Sequence, residues 1–349
     1  MKGVVSFHPL DLAVFDELLS PLAAGAKVNP ETFLQDASRV RRNGWIARRY
    51  AVALDALSVE AEAPQADPTS SLWQRLRTNM EKVDFKPAEA ARRAAKVFDA
   101  DLHLEGRPFL VAEGSAERVA TAVDAYVAAE SEDAAEGVAR DQLARLDPEL
   151  AKLVEPADIA DVSSDMSYRN DLLADLKKLY DLGRCAREGR PWSDGGAPPK
   201  PGADAVRDEL PWRSVALHAR VRPFWIAHDV DGLETICRAA GVLPPDCLSP
   251  AWRPFAEACD AYPALRAALG LELTKDKSVG AFVAPAEVGA LVEFLSMHGA
   301  RIIGAATRAG EGTMATALLR KIKECAVYSQ RHGFGYLEAS GVLPPERES

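Results

Sequence analysis

Cysteine, histidine and methionine are scarce in this 349-residue sequence, at five, six and five residues. The cysteines (Cys185, Cys237, Cys247, Cys259, Cys325) are odd in number, widely spaced and never paired as C-x-x-C. That pattern argues against a disulfide framework and for a reducing, cytoplasmic setting. No apolar run approaches the ~18 residues of a spanning helix, because Arg, Asp or Glu interrupts each stretch, so no membrane association is expected. The opening residues carry one Lys and no apolar segment before Asp11, which predicts no signal peptide. The sequence also lacks a G-x-S-x-G elbow, an H-E-x-x-H pair and zinc-type Cys/His spacing. Ala309-Gly-Glu-Gly-Thr313 does not have phosphate-loop spacing. Asp229-Val-Asp231-Gly232 starts like a calcium loop, but Arg238 stands where the bidentate Glu belongs. No metal and no cofactor are therefore expected.

What is present is a core-forming composition, 48% hydrophobic and 27% charged, with a net charge of −10. The charge is uneven. Residues 1–195 carry 34 acids and 25 bases, while residues 196–349 carry 18 and 17. Asp99 to Asp165 concentrates 17 acids against five bases. Nucleic acid is a poor partner for such a chain, since duplex affinity rests on displaced counterions. One basic stretch stands out: Ser38 to Tyr50 holds five Arg and two aromatics, with Arg41 and Arg42 at its centre. Arg presents a rigid donor fork to carboxylate and phosphate, although the same pattern also suits a solvated helix face.

Periodicity predicts a strand at Val4–Phe7 broken by His8-Pro9, a helix from Asp11 to Leu19, and a long helix over 31–57. Further helices are expected at Leu72–Met80, Pro87–Phe98 and Ser115–Val127, the last with Ser115 as N-cap. Arg107–Val111 reads as a strand. Leu172, Leu173, Leu176, Leu179 and Tyr180 mark another helix. Pro and Gly crowd Arg190–Asp204, which predicts a linker. Beyond it, Ser214–Ala227 reads as a strand region containing Pro223, and Asp231 as the cap of a helix over Leu233–Ala240. Val279–Ala284 follows as a strand, then helices opened by Pro285 and near Thr313, the second ending at Gly333 and burying Met314, Leu318, Ile322 and Cys325.

Three blocks recur in the same order: Phe7–Asp11 with Ala227–Asp231, Pro108–Val111 with Ala281–Ala284, and Asp171–Tyr180 with Ala317–Ala326. The expected fold is therefore α/β (α+β) and helix-rich, with two similar modules that each pack a small sheet under amphipathic helices. The modules are 1–190 and 212–349, joined by a Pro/Gly linker at 191–211. Gly106-Arg-Pro-Phe-Leu-Val111, Ala144–Leu150 and Leu172-Leu173 in the first copy, with Gly280–Val288, Leu318-Leu319 and Gly333–Tyr336 in the second, resemble the YfbM-like family of bacterial proteins. The resemblance implies tandem α/β modules. The family segment that resembles Trp-x-x-Leu-His reads Trp73-Gln-Arg-Leu-Arg77 here. With no settled activity in the family, it implies no catalytic residues.

Matched His8/Asp11 and His228/Asp231 are the candidate catalytic residues, each pair placed between a strand and a helix. Facing one cleft, they would supply acid/base or ligand groups. As ordinary turn residues, Asp11 and Asp231 would be N-caps. Arg220, Arg222 and Trp225, with Arg41 and Arg42, are the candidate binding residues. Two functions follow. One is a non-enzymatic binding protein of immunity or adaptor type, whose acidic surface recognises a basic protein partner. The other is an enzyme working between the two modules through His8 and His228.

Overall fold

The computed structural model describes residues 4–62, 106–112, 114–160, 164–194, 198–228, 230–268 and 280–342. The expected helices at 72–80 and 87–98 lie outside them, as does the Trp73 segment. The chain is helix-rich α+β, as its periodicities imply. The described strands form one antiparallel sheet of five: β1 (Val5–Leu10), β2 (Trp225–Ala227), β3 (Ser249–Pro250), β4 (Ala281–Val283) and β5 (Gly335–Ser340). Their order is β2-β1-β5-β4-β3.

That order corrects the expectation of two modules with a sheet apiece. The only described strand of the first half, β1, lies between two strands of the second. It pairs with β2 from Val5 opposite Ala227 to Phe7 opposite Trp225, and with β5 from Val5 opposite Ser340 to Leu10 opposite Gly335. All six β1 residues are buried. His8-Pro9 does not end the strand. Pro9 lies beyond the last β2 pair, where β1 has one neighbour, a place that tolerates a missing backbone donor. Residues 109–112 form no strand to match β4.

The linker is corrected too. Trp192 and Lys200 bridge through paired backbone hydrogen bonds, and α8 (Gly202–His218) starts directly afterwards. Trp192 is buried in a core, so the segment is built into the fold.

Alternation along the strands sends side chains to two cores. On one side Phe7, Trp225, Val283 and Tyr336 pack against α4 (Ala116–Ala128), α5 (Glu132–Leu146), α12 (Val288–Arg308) and α13 (Gly312–His332). On the other side Leu10, Phe282, Leu337 and Ala339 pack against α7 (Asp165–Arg187), α8 and a helical run, Leu12–Ala23, that contains the π-helical turn Phe15–Leu19. The long helix α3 (Glu31–Glu62), about 48 Å at 1.5 Å per residue, serves both layers. Phe33, Leu34 and Ala37 enter one core, while Ile46, Tyr50 and Leu54 enter the other. The middle of α3 therefore passes the sheet edge, and this creates the cleft described below.

Local signals explain the helix ends. Ser115 caps α4 by accepting from the Arg118 N–H, and Gly333 ends α13 at a left-handed φ of 67°. Met314, expected in the α13 core, is instead exposed. Helix α12, with the turn before it, is long and apolar enough to cross a membrane by length and composition, contrary to the expectation that Arg, Asp or Glu interrupts every such stretch. Here Leu291, Phe294, Leu295 and Ile302 face the core, while Glu293 and Arg301 face outward.

A cationic cleft at the edge of the sheet

The cleft, about 680 Å³, opens where α3 passes β2. Arg41, Trp45 and Arg48 reach it from one face of α3 at i, i+4 and i+7 spacing. Arg220 and Arg222 come from the turn after α8, and His228 from the end of β2. Arg107 completes the set from a segment docked on the β2 edge, where the Ile226 N–H donates to the Gly106 carbonyl at 2.8 Å. Gly106 has φ 75°, and a Cβ there would overlap the Ile226 oxygen, so glycine is required for this approach. No Asp or Glu stands among the described lining residues.

These cations differ in what holds them. The Arg107 side chain is 2% exposed, and its Nε and one terminal nitrogen donate to Glu324, itself 1% exposed, at 3.0 and 2.5 Å. The Trp225 indole donates to the same carboxylate at 3.0 Å. Arg222 donates twice to one Asp11 oxygen, at 3.0 and 2.6 Å. By contrast, Arg48 and Arg220 are exposed and have no carboxylate partner among the described residues. The Arg41 and Arg220 guanidinium carbons lie 4.7 and 5.9 Å from the Tyr168 ring centroid. Burial pushes the Tyr168 phenol up, while Arg220 and Arg41 oppose that rise.

The site residues expected from sequence divide accordingly. Arg41, Arg220 and Arg222 do converge on the cleft. Arg42 instead donates to the Ala129 carbonyl at 3.0 Å and lines a neighbouring cavity. Trp225 is fully buried. Asp11 is an N-cap, with its other oxygen accepting from the Ala13 N–H at 3.1 Å. Asp231 does not cap. The cap residue of α9 (Leu233–Ala239) is Gly232, and the Leu233 N–H donates to the buried Glu338 carboxyl at 3.2 Å.

The two matched histidines do not meet. Val5 opposite Ala227 sets His228 beside Val4, four residues along the strand from His8, roughly 13 Å at 3.3 Å per residue. His8 is wholly buried, with Nε2 2.8 Å from the Ser6 hydroxyl, whereas His228 is exposed on the cleft rim. Burial pushes His8 down to about 3. The histidine that does join Asp11 is His218, which sequence reasoning missed. Its Nε2 accepts the Asp11 backbone N–H at 3.0 Å, so its ring is neutral with the proton on Nδ1. Burial, then His8 and Arg222 nearby, hold it well below the usual range. Arg107, Tyr168 and Arg48 were also missed. The five Arg of residues 39–49 signalled Arg48, but nothing local signals Arg107.

A second cluster surrounds Glu338. Tyr336 donates to it at 2.8 Å, and no cation among the described residues pairs with it. Burial pushes its carboxyl up to about 7, while the Tyr336 and Leu233 hydrogen bonds pull the other way. The nearby Cys237 thiol is pushed up to about 11, chiefly by burial. All five cysteines are free. Among the described residues, no three His, Cys, Asp or Glu are grouped to hold a metal ion. The arrangement as a whole can bind negative charge at one edge of an acidic molecule. No protein-family model, curated protein or solved structure matches the chain.

Proposed function

We propose that this is a binding protein whose cleft at the β2 edge takes an anionic ligand. One observation carries the reading: in a chain of net charge −10, Arg48 and Arg220, which no described carboxylate neutralises, share with Arg41, Arg107 and Arg222 a cleft whose described lining residues include no Asp or Glu. Guanidinium groups recognise phosphate and carboxylate through paired donors. The rear of the site is preorganised, because Asp11 orients Arg222 and Glu324 holds Arg107. The cleft volume falls in the range of small-molecule sites, about 300–1,000 Å³.

Thermal melts in rising pyrophosphate test it. A ligand at 100 times its Kd stabilises by about 2.7 kcal/mol. The melting temperature of the native chain is expected to rise with pyrophosphate, and that of an Arg48→Glu/Arg220→Glu variant to stay flat. Both positions are exposed, so the variant keeps its fold. Equal shifts in the two proteins would refute the assignment.

The acidic flank supports a second reading, a basic protein partner. Glu130, Glu132, Asp133, Asp141, Glu155 and Asp158 are all exposed. Opposite potentials speed encounter, and salt screens them. Partner capture that is indifferent to ionic strength would remove this reading.

A further inference from the structure

The cleft has a neighbour of different character. A cavity of about 520 Å³ lies beside it, and Arg41 and Trp45 line both. The first lobe shows no described carboxylate. The second mixes arginine with Glu130, Glu132 and Asp165, for which the described residues supply no ion pair. Its wall also carries unused hydrogen-bonding atoms. The Trp45 indole N–H, the Ser38 hydroxyl and the Arg39 Nε are buried, and none has a hydrogen-bond partner. A buried donor left unmade costs on the order of 1–3 kcal/mol, so three on one wall point to an acceptor-bearing occupant.

Resting on the anion-binding reading above, we propose that the two lobes form one site for a nucleoside phosphate. The phosphates occupy the arginine-lined lobe, beside Arg41, Arg48 and Arg220. The nucleoside crosses Trp45 into the second lobe. There Glu130, Glu132 and Asp165 accept from sugar hydroxyls and exocyclic amines, which a carboxylate can do and a guanidinium cannot. The polarity of the ligand follows from the polarity of the lobes. A bare polyphosphate would leave the carboxylate lobe empty, and a neutral nucleoside would leave Arg48 and Arg220 without a counter-charge from any described residue.

Calorimetric titration of the full chain with ADP, pyrophosphate and adenosine tests this. ADP is expected to bind at least tenfold more tightly than pyrophosphate, and adenosine more weakly than ADP by a similar factor. Trp45→Phe combined with Glu132→Gln is expected to close the gap between ADP and pyrophosphate. Glu132 is exposed in the first turn of α5, which leaves the fold intact. Equal affinities for ADP and pyrophosphate in the native chain would overturn the nucleoside assignment while leaving an anion cleft. Binding of neither phosphate ligand, or adenosine matching ADP, would overturn both.

Discussion

Glu324 and Glu338 are buried to the same degree, on the same side of the sheet, and they have opposite fates. Glu324 receives two donors from Arg107 and one from Trp225. Glu338 receives a phenol and a helix N–H but no cation from the described residues, and burial lifts it to about 7. Burial alone therefore does not decide whether a carboxyl stays charged. A matched, hydrogen-bonded cation decides it. The difference also sorts the cleft: Arg107 is paired from behind with Glu324, whereas Arg220 has no carboxylate partner among the described residues.

The strongest way to break this comparison is to remove one partner of the buried pair. Arg107→Ala or Glu324→Ala is expected to cost about 3–5 kcal/mol, because each strands a buried charge. The double change Arg107→Met/Glu324→Leu should recover most of that loss. Urea unfolding measures all three, and a double variant no more stable than either single one would show that the pair stabilises through something other than mutual neutralisation.

The next effect concerns pH. A carboxyl raised from 4.5 to about 7 on folding contributes fully below 4.5 and loses that contribution as pH rises through 7. At about 1.4 kcal/mol per pH unit, the loss approaches about 3 kcal/mol. Glu338→Gln should therefore gain on the native chain between pH 4.5 and 7 and hold a constant lead above it. Parallel stability profiles would end the assignment of a neutral Glu338. His8 and His218 act in the other direction. Their depressed folded values cost stability as pH falls below 6.5, so both proteins should weaken in acid.

Asp11→Ala is expected to be the mildest, about 1–2 kcal/mol from the lost N-cap and the partly buried Arg222 pair. It would sharpen the contrast between held and unheld arginines, since Arg222 then loses its orientation while Arg220 is untouched. Pyrophosphate affinity should fall less than in Arg220→Glu. A larger fall would make Arg222 the principal anion contact.

Features written within one or two turns were legible. Ser115 and Gly333 marked helix ends correctly, and the α12 stripe through Leu291 and Leu295 faces the core as its spacing implies. Ser214–His218 misled, because Val215, Leu217 and His218 suit a strand as well as a helix. The i, i+4 pair Glu209–Arg213 and buried Val206 and Leu210 belong to α8. Long-range partners were invisible. Nothing around Arg107 names Glu324, and nothing around β1 names β5. The strand-then-helix match of Phe7–Asp11 to Ala227–Asp231 does not hold: Phe7–Leu10 lies within β1 and Asp11 caps a helix, whereas β2 ends at Ala227 and α9 begins only at Leu233, and the two strands are neighbours in one sheet. Of the candidate binding residues, Arg41 from the arginine-rich stretch lines the cleft, and Arg220 and Arg222 line it too. The twin histidines misdirected, because a repeat argument cannot see that His218 is the one buried beside Asp11.

The Ser6 hydroxyl bonds to the Ala339 carbonyl, 333 positions away. At about 5–20 residues per second, a ribosome needs roughly 15–70 s to make the chain between them. Throughout that interval Val5–Leu10, a wholly apolar-facing ribbon, has emerged without its central neighbour. Neither helical layer has a finished surface to rest on until β5 arrives. Such a polypeptide is exposed to mispairing while it is being made, and holding chaperones have that interval in which to act on Val5–Leu10.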